Sequence, residues 1–118
     1  MKKVWHLSTC DTCSDILKQL GGLEDFEKQD IKAKNISPED LDRLKAKVGS
    51  YEALFSRRAL KYKEMGLNNR RLTEEDYRRL ILEEYTFLKR PVIVDGKEIF
   101  VGNAPKTVEE AKVKILKK

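Results

Sequence analysis

Residues 6–20 read HLSTCDTCSDILKQL and hold both cysteines of the chain and its one histidine. Three kinds of chemistry fit His6, Cys10 and Cys13. A cysteine is a nucleophile as its thiolate. A second thiol three residues on lies one helical turn away, in reach to resolve a mixed adduct as a disulfide. The same three side chains also offer three of the four ligands of a tetrahedral zinc site, with Asp11 or Asp15 as the fourth. The bland reading is that the cysteines are small buried hydrophobes.

The elements around the motif weigh these readings. KKVWHLS (2–8) is a short apolar, β-favouring run and predicts a strand. Ile16, Leu17 and Leu20 then share one face of a predicted helix, which Gly21-Gly22 ends. The motif therefore stands where a strand runs into a helix, with Cys10 near the helix N-terminus. Unpaired N–H groups there favour an anion and lower a thiol's pKa. No further Cys or His exists to complete a metal site, so thiol chemistry is the stronger reading and no metal is expected. His6 falls at the sheet end from which the cysteine loop leaves. It either tunes the thiolate, orders the loop, or packs as a hydrogen-bonded core residue.

Two other features carry charge suited to a site. Arg57-Arg58 offers guanidinium forks that hold oxyanions by several hydrogen bonds, or simply a solvated surface. Arg90-Pro91 opens a predicted strand, where proline marks an edge or a start.

The rest of the chain supplies a frame. DFEKQDIKA (25–33) is a weak second strand. ISPEDLDRLKAKVG predicts a helix with Ser37 as N-cap, Pro38 in the first turn and Gly49 past the end. Residues 50–67 read as short helical pieces closed at Gly66. Thr73 and Asp76 mark a capping box before Tyr77, Leu80, Ile81 and Tyr85 at helical spacing. RPVIVDGKEIFVG (90–102) predicts a hairpin turning at Asp95-Gly96. A last helix is expected from a Thr107–Glu110 capping box, carrying Val108, Ala111, Ile115 and Leu116. The order β-α-β, helices, β-β-α predicts one α/β domain over 1–118. Its sheet is mixed and flanked by helices, with a helical insertion at about 35–88.

Composition sets the limits. The chain has 118 residues, 40% hydrophobic and 38% charged, with net charge +5 and pI near 9.2. This favours anionic partners in general. The charges read as mixed along the chain, so a solvated surface is the plain expectation, and no direct nucleic-acid contact is expected. No stretch approaches the ~20 apolar residues of a membrane span, and MKKVWHL breaks off at Ser8 and Thr9 before a signal-peptide core forms. Two cysteines make no disulfide framework for a secreted protein. A cytoplasmic protein with resting thiols reduced is expected.

These features together resemble the arsenate reductase (ArsC) family, which includes the Spx transcriptional regulators. VWHLSTCDTC is similar to the family's first strand and active-site loop, FSRRALKYKEMGL to its segment bearing an oxyanion-contacting arginine, KRPVIVDGK to its Arg-Pro strand start, and VGNAPKTVEEAKVKIL to its last strand, turn and helix. The resemblance covers essentially the whole chain and implies a thioredoxin-like fold. It implies Cys10 as nucleophile, with Arg58 and Arg90 holding the oxyanion. It also implies a Pro91 that is cis and faces the thiol. No bound cofactor is implied. The reductant would be glutathione with glutaredoxin, or thioredoxin.

The chain departs from the reductases at two places. FVGNAP holds Gly102 and Asn103 where they typically carry a third arginine, and Cys13 stands where the glutathione-dependent members usually lack a cysteine. A C-x-x-C here looks more like Spx. There the pair is a redox switch, and the partner is the RNA polymerase α subunit.

Overall fold

In chain order the elements are β1 (Lys2–His6), α1 (Asp11–Gln19), β2 (Glu27–Asp30), α2 (Pro38–Val48), α3 (Leu60–Glu64), α4 (Glu74–Glu83), β3 (Val92–Asp95), β4 (Glu98–Val101) and α5 (Pro105–Ala111). The computed structural model describes residues 1–116. Lys117 and Lys118, the end of the last predicted helix, lie outside the described residues. The chain divides into two units, one of Met1–Lys34 with the chain from Arg90 on, the other Asn35–Lys89.

The first unit is built on a mixed sheet of order β2-β1-β3-β4. β1 pairs parallel with β2, from Lys3↔Glu27 to His6↔Asp30. A parallel pair needs a crossover, and α1 supplies it. β1 pairs antiparallel with β3, and β3 with β4. Alternation along the strands puts Val4, Ile93 and Phe100 on one face. They pack with Ile16 and Leu20 of α1, with Leu23 and Phe26, and with Val108 and Ala111 of α5. Trp5, Val92 and Val94 alternate with these and are buried too. Lys3 is nearly buried beside them. Its ammonium pairs with Glu27 at 3.1 Å and sits 5.0 Å over the Trp5 ring.

Several boundaries differ from the sequence reading. β1 stops at His6, not residue 8, because Leu7 enters a turn in which its carbonyl accepts the Cys10 N–H at 3.0 Å. β2 is confined to Glu27–Asp30, since the Asp30 carbonyl already accepts the N–H groups of Ala33 and Lys34 in a turn. In the hairpin Asp95 pairs with Glu98, so the two loop residues are Gly96 and Lys97. Gly96 takes the first loop position at φ +61, a conformation that favours glycine. α5 starts at Pro105 with Ala104 as N-cap, and no Thr107 side-chain cap forms. Proline at the first helical position starts the helix three residues early, with the N-cap at Ala104 in place of Thr107. The helix then continues as a π turn, Lys112–Leu116.

The second unit is helical. Ser37 Oγ accepts the Asp40 N–H at 3.1 Å, Pro38 opens α2, and Gly49 follows it at φ +97. Thr73 and Asp76 form the capping box of α4. α4 ends at Glu83, so Tyr85 lies beyond it, in a 3₁₀ turn (Tyr85–Phe87) capped by the Glu84 carboxylate. Phe55 is the aromatic centre, with ring centroids 4.9 Å from both Tyr77 and Phe87. The Glu74 carboxylate accepts the N–H groups of Tyr51 and Glu52 at 2.8 and 3.1 Å. The Arg78 fork meets both oxygens of Asp42 at 2.9 and 3.2 Å. Among the described residues no helix is long and apolar enough to cross a membrane.

Candidate redox-active thiol site

The loop between β1 and α1 is tied to the end of β2. Ile31 N–H donates to the His6 carbonyl at 2.9 Å. The Asp30 carboxylate then accepts three bonds: the Ser8 N–H at 3.2 Å, the Ser8 hydroxyl at 2.6 Å and the Lys32 N–H at 3.1 Å. The Ser8 hydroxyl, foremost, holds the Asp30 carboxyl below the usual range, with a smaller contribution from the charge of His6 opposite it in register. Leu7 sits between these two anchors. Its carbonyl accepts the Cys10 N–H, and its N–H hydrogen-bonds the Cys13 thiol. Asp30 is the residue the sequence reading missed. Its one visible signal is an acid at the end of a strand that pairs with the motif's own strand.

Cys10 is the N-cap of α1, with extended backbone (φ −99, ψ 109) and no formed side-chain cap bond. Its carbonyl accepts the Ser14 N–H at 3.2 Å. It is half-buried, whereas Cys13, in the first turn of α1, is fully buried, and both are free thiols. Burial pushes the Cys10 thiol up. The Cys13 N–H and thiol, together with the charge and hydrogen bond of Arg90, outweigh it, and the net shift is below the ordinary value of 9.0. For Cys13 burial prevails, and its thiol is pushed up to about 11. Leu7 N–H and Arg90 oppose this, and Cys10 adds to it. Two thiols of one motif thus differ in acidity: the half-exposed one ionises first.

Arg90 lies two residues before β3, which pairs with β1, so the sheet brings it to Cys10 across 80 residues of chain. Its peptide bond to Pro91 is cis, and Pro91 is buried. The Pro91 carbonyl accepts the Gly102 N–H at 2.9 Å. Gly102 stands at φ +87, a conformation an arginine would adopt only with strain. His6 ends β1 beside Asp30, and its charge acts on Asp30; it is not among the groups that shift Cys10.

Of the arginine pair, Arg57 is engaged locally. It pairs with Glu52 at 2.5 Å and donates to the Tyr77 hydroxyl at 3.0 Å. Arg58 is exposed on the turn before α3 and, among the described residues, makes no ion pair or hydrogen bond. It belongs to the second unit; Cys10, Cys13, Arg90, Pro91 and His6 belong to the first. Among the described residues no group of three or more His, Cys, Asp and Glu side chains is arranged to hold a metal ion.

The profile of the ArsC family matches residues 5–111. The chain belongs to the ArsC family. Comparison with curated proteins yields no match. Among solved structures, a Bacteroides fragilis protein named as related to the ArsC family superposes with a TM-score of 0.78 at 24% identity, covering 94% of this chain and 97% of that one. Arsenate reductase from Vibrio cholerae superposes with a TM-score of 0.71 at 24% identity, covering 93% and 98%. An arsenate reductase (ArsC) related protein from Brucella melitensis gives 0.68 at 24%, covering 92% of each chain. The mixed four-stranded sheet with helices against it is thus the thioredoxin-like architecture of these ArsC-related structures.

Proposed function

We propose that this ArsC-family chain is a thiol oxidoreductase in which Cys10 attacks as the thiolate and Cys13 resolves. The observation that carries the reading is the contrast between the two thiols. Cys10 is half-exposed at a helix N-terminus beside Arg90, with its thiol held below the ordinary value, while Cys13 is buried one turn away and held protonated. A nucleophile needs the first environment, and a thiol in reserve fits the second.

For an oxyanion such as arsenate the steps balance as follows. The Cys10 thiolate attacks arsenic, an S–As bond forms and an oxygen leaves as water after protonation. Arg90 stabilises the added negative charge. Cys13, deprotonated in the step, then attacks the Cys10 sulfur. An S–S bond forms, the S–As bond breaks, and its electron pair reduces As(V) to As(III). Glutathione with glutaredoxin, or thioredoxin, would reduce the disulfide and complete the cycle. Arg58 is the second oxyanion contact that the family resemblance implies.

A second reading follows from Cys13 and Gly102. A buried resolving thiol suits a reversible disulfide, and the residue after β4 is a glycine where a third arginine would help hold arsenate. A disulfide switch of the Spx kind, controlling binding to the RNA polymerase α subunit, uses the same two thiols without turnover.

The deciding experiment assays arsenate reduction with glutathione–glutaredoxin and with thioredoxin, using the parent chain and Cys10→Ser. It also maps the thiols by mass spectrometry after mild peroxide. Turnover lost in Cys10→Ser supports the enzyme. A Cys10–Cys13 disulfide without turnover on arsenate or any disulfide substrate selects the switch. Neither turnover nor disulfide removes both readings.

A further inference from the structure

The chain's net charge of +5 is not spread over it. Residues 57–71, RRALKYKEMGLNNRR, hold six of the 25 Lys and Arg and only one of the 20 Asp and Glu. The rest of the sequence keeps 19 of each and is neutral. The whole excess therefore sits in fifteen residues of the second unit, against the reading of evenly mixed charge.

Arg57 spends one of these charges on Glu52, and most of the remaining excess is unspent. Among the described residues, Lys61, Lys63, Arg70 and Arg71 make no ion pair. All four are exposed. Elsewhere some exposed cations are paired, as in Lys2–Asp25, Arg43–Asp40 and Arg79–Asp76, and ones unpaired among the described residues, such as Lys18, Lys34 and Lys97, lie in sequence whose positive and negative charges balance. The segment is also ordered: α3 closes through the Met65 N–H to the Lys61 carbonyl at 2.9 Å and Gly66 at φ +69, and Ala59 and Leu67 anchor it as buried residues.

Apolar side chains stand among the cations. Leu60 is 82% exposed and Met65 49%, although an exposed leucine of this degree gains nothing from the fold. Helical spacing places Leu60 one turn from Lys63, and Lys61 one turn from Met65. Each exposed apolar group thus has an unpaired cation as its neighbour. A duplex phosphate backbone satisfies the cations and leaves Leu60 and Met65 wet. A protein segment with carboxylates beside apolar side chains satisfies both, and exposed apolar groups ringed by charge mark protein interfaces.

We propose that residues 60–71 are a docking surface for an acidic protein segment that carries apolar side chains among its carboxylates. The acids pair with Lys61, Lys63, Arg70 and Arg71, and the apolar side chains cover Leu60 and Met65. This surface is independent of the thiol chemistry and serves either reading of it.

The test is fluorescence anisotropy at physiological ionic strength with the full chain and four probes. The first is a labelled 15-residue peptide alternating Glu with Leu. The second is the same peptide with each Leu replaced by Ser. The third is a 20-base-pair DNA duplex, and the fourth is a set of phosphatidylserine-containing vesicles. The Leu peptide is expected to bind roughly 10-fold or more tighter than the Ser peptide, as burial of two apolar side chains implies. The double variant Leu60→Ser/Met65→Ser should remove that gap and leave the weaker charge-driven binding. Lys61→Glu/Lys63→Glu should lower binding of both peptides, while an unchanged far-ultraviolet circular dichroism spectrum and urea midpoint show that each variant is folded. Equal affinity for the two peptides overturns the proposal. So does tighter binding of the duplex or the vesicles, an unaffected charge-reversal variant, or no binding of the Leu peptide.

Discussion

Limiting alkylation separates the two thiols of the C-x-x-C motif, and the size of the separation follows from their surroundings. Cys13 is held at about 11, Cys10 below 9.0. At pH 7 that makes Cys13 about one part in 10⁴ thiolate and Cys10 more than about one part in 10², a ratio of at least ~100. A less basic thiolate is also a poorer nucleophile. With a Brønsted slope of about 0.4–0.5, two units of pKa return roughly 6- to 10-fold of that advantage. Reaction at Cys10 should therefore exceed reaction at Cys13 by about 10-fold or more, before the burial of Cys13 widens the gap. The assay is sub-stoichiometric iodoacetamide at pH 7, quenched early, with the labelled peptides quantified by mass spectrometry. Arg90→Met should slow labelling of Cys10, because it removes both a charge and a hydrogen bond that favour the thiolate. Equal labelling of the two cysteines, or Cys13 labelled first, would refute the reasoning. An Arg90→Met protein labelled at the parent rate would refute the assignment of Arg90.

Two further outcomes test the frame around the thiols. The Cys13 thiol stays protonated in the folded chain while the unfolded chain ionises near 9.0, so the unfolded state binds fewer protons above that pH and stability falls as pH rises from about 9 toward about 11; urea melts through that window should show the fall in the parent and a smaller one in Cys13→Ala, and identical slopes would contradict it. Ile93→Ala empties a buried position at the centre of the first unit's core, 2% exposed and packed with Val4 and Phe100, and should cost about 2–5 kcal/mol in urea unfolding; a loss under ~1 kcal/mol would mean that the site collapses around the gap.

The features legible in the sequence are those fixed by neighbours along the chain. Ser37-Pro38 and Thr73–Asp76 start α2 and α4 because capping needs only a side chain and an N–H three residues on. The strand–motif–helix order is local too, and so is the one-turn spacing of Cys10 and Cys13. What failed was decided by partners elsewhere. Asp95-Gly96 was the strongest turn pair, yet pairing of Asp95 with Glu98 moved the loop one residue on. Thr107–Glu110 is a local failure instead: it had the pattern of a capping box, and Pro105, two residues before it, started the helix earlier.

The same division runs through the site. Spacing alone says that two thiols are near each other, but it does not say which one ionises. That difference comes from Arg90, delivered by a strand pairing, and from the burial of Cys13. Asp30 was hidden for the same reason: its three bonds to Ser8 and Lys32 exist only because β2 runs parallel to β1 and ends beside it. Charge is the opposite case. The excess in residues 57–71 was in plain view, but a total of +5 averages it over 118 residues. A composition reports how much charge a chain carries, whereas a partner meets charge at one place. The physical question was therefore which cations lack an anion nearby, and the fold answers it residue by residue.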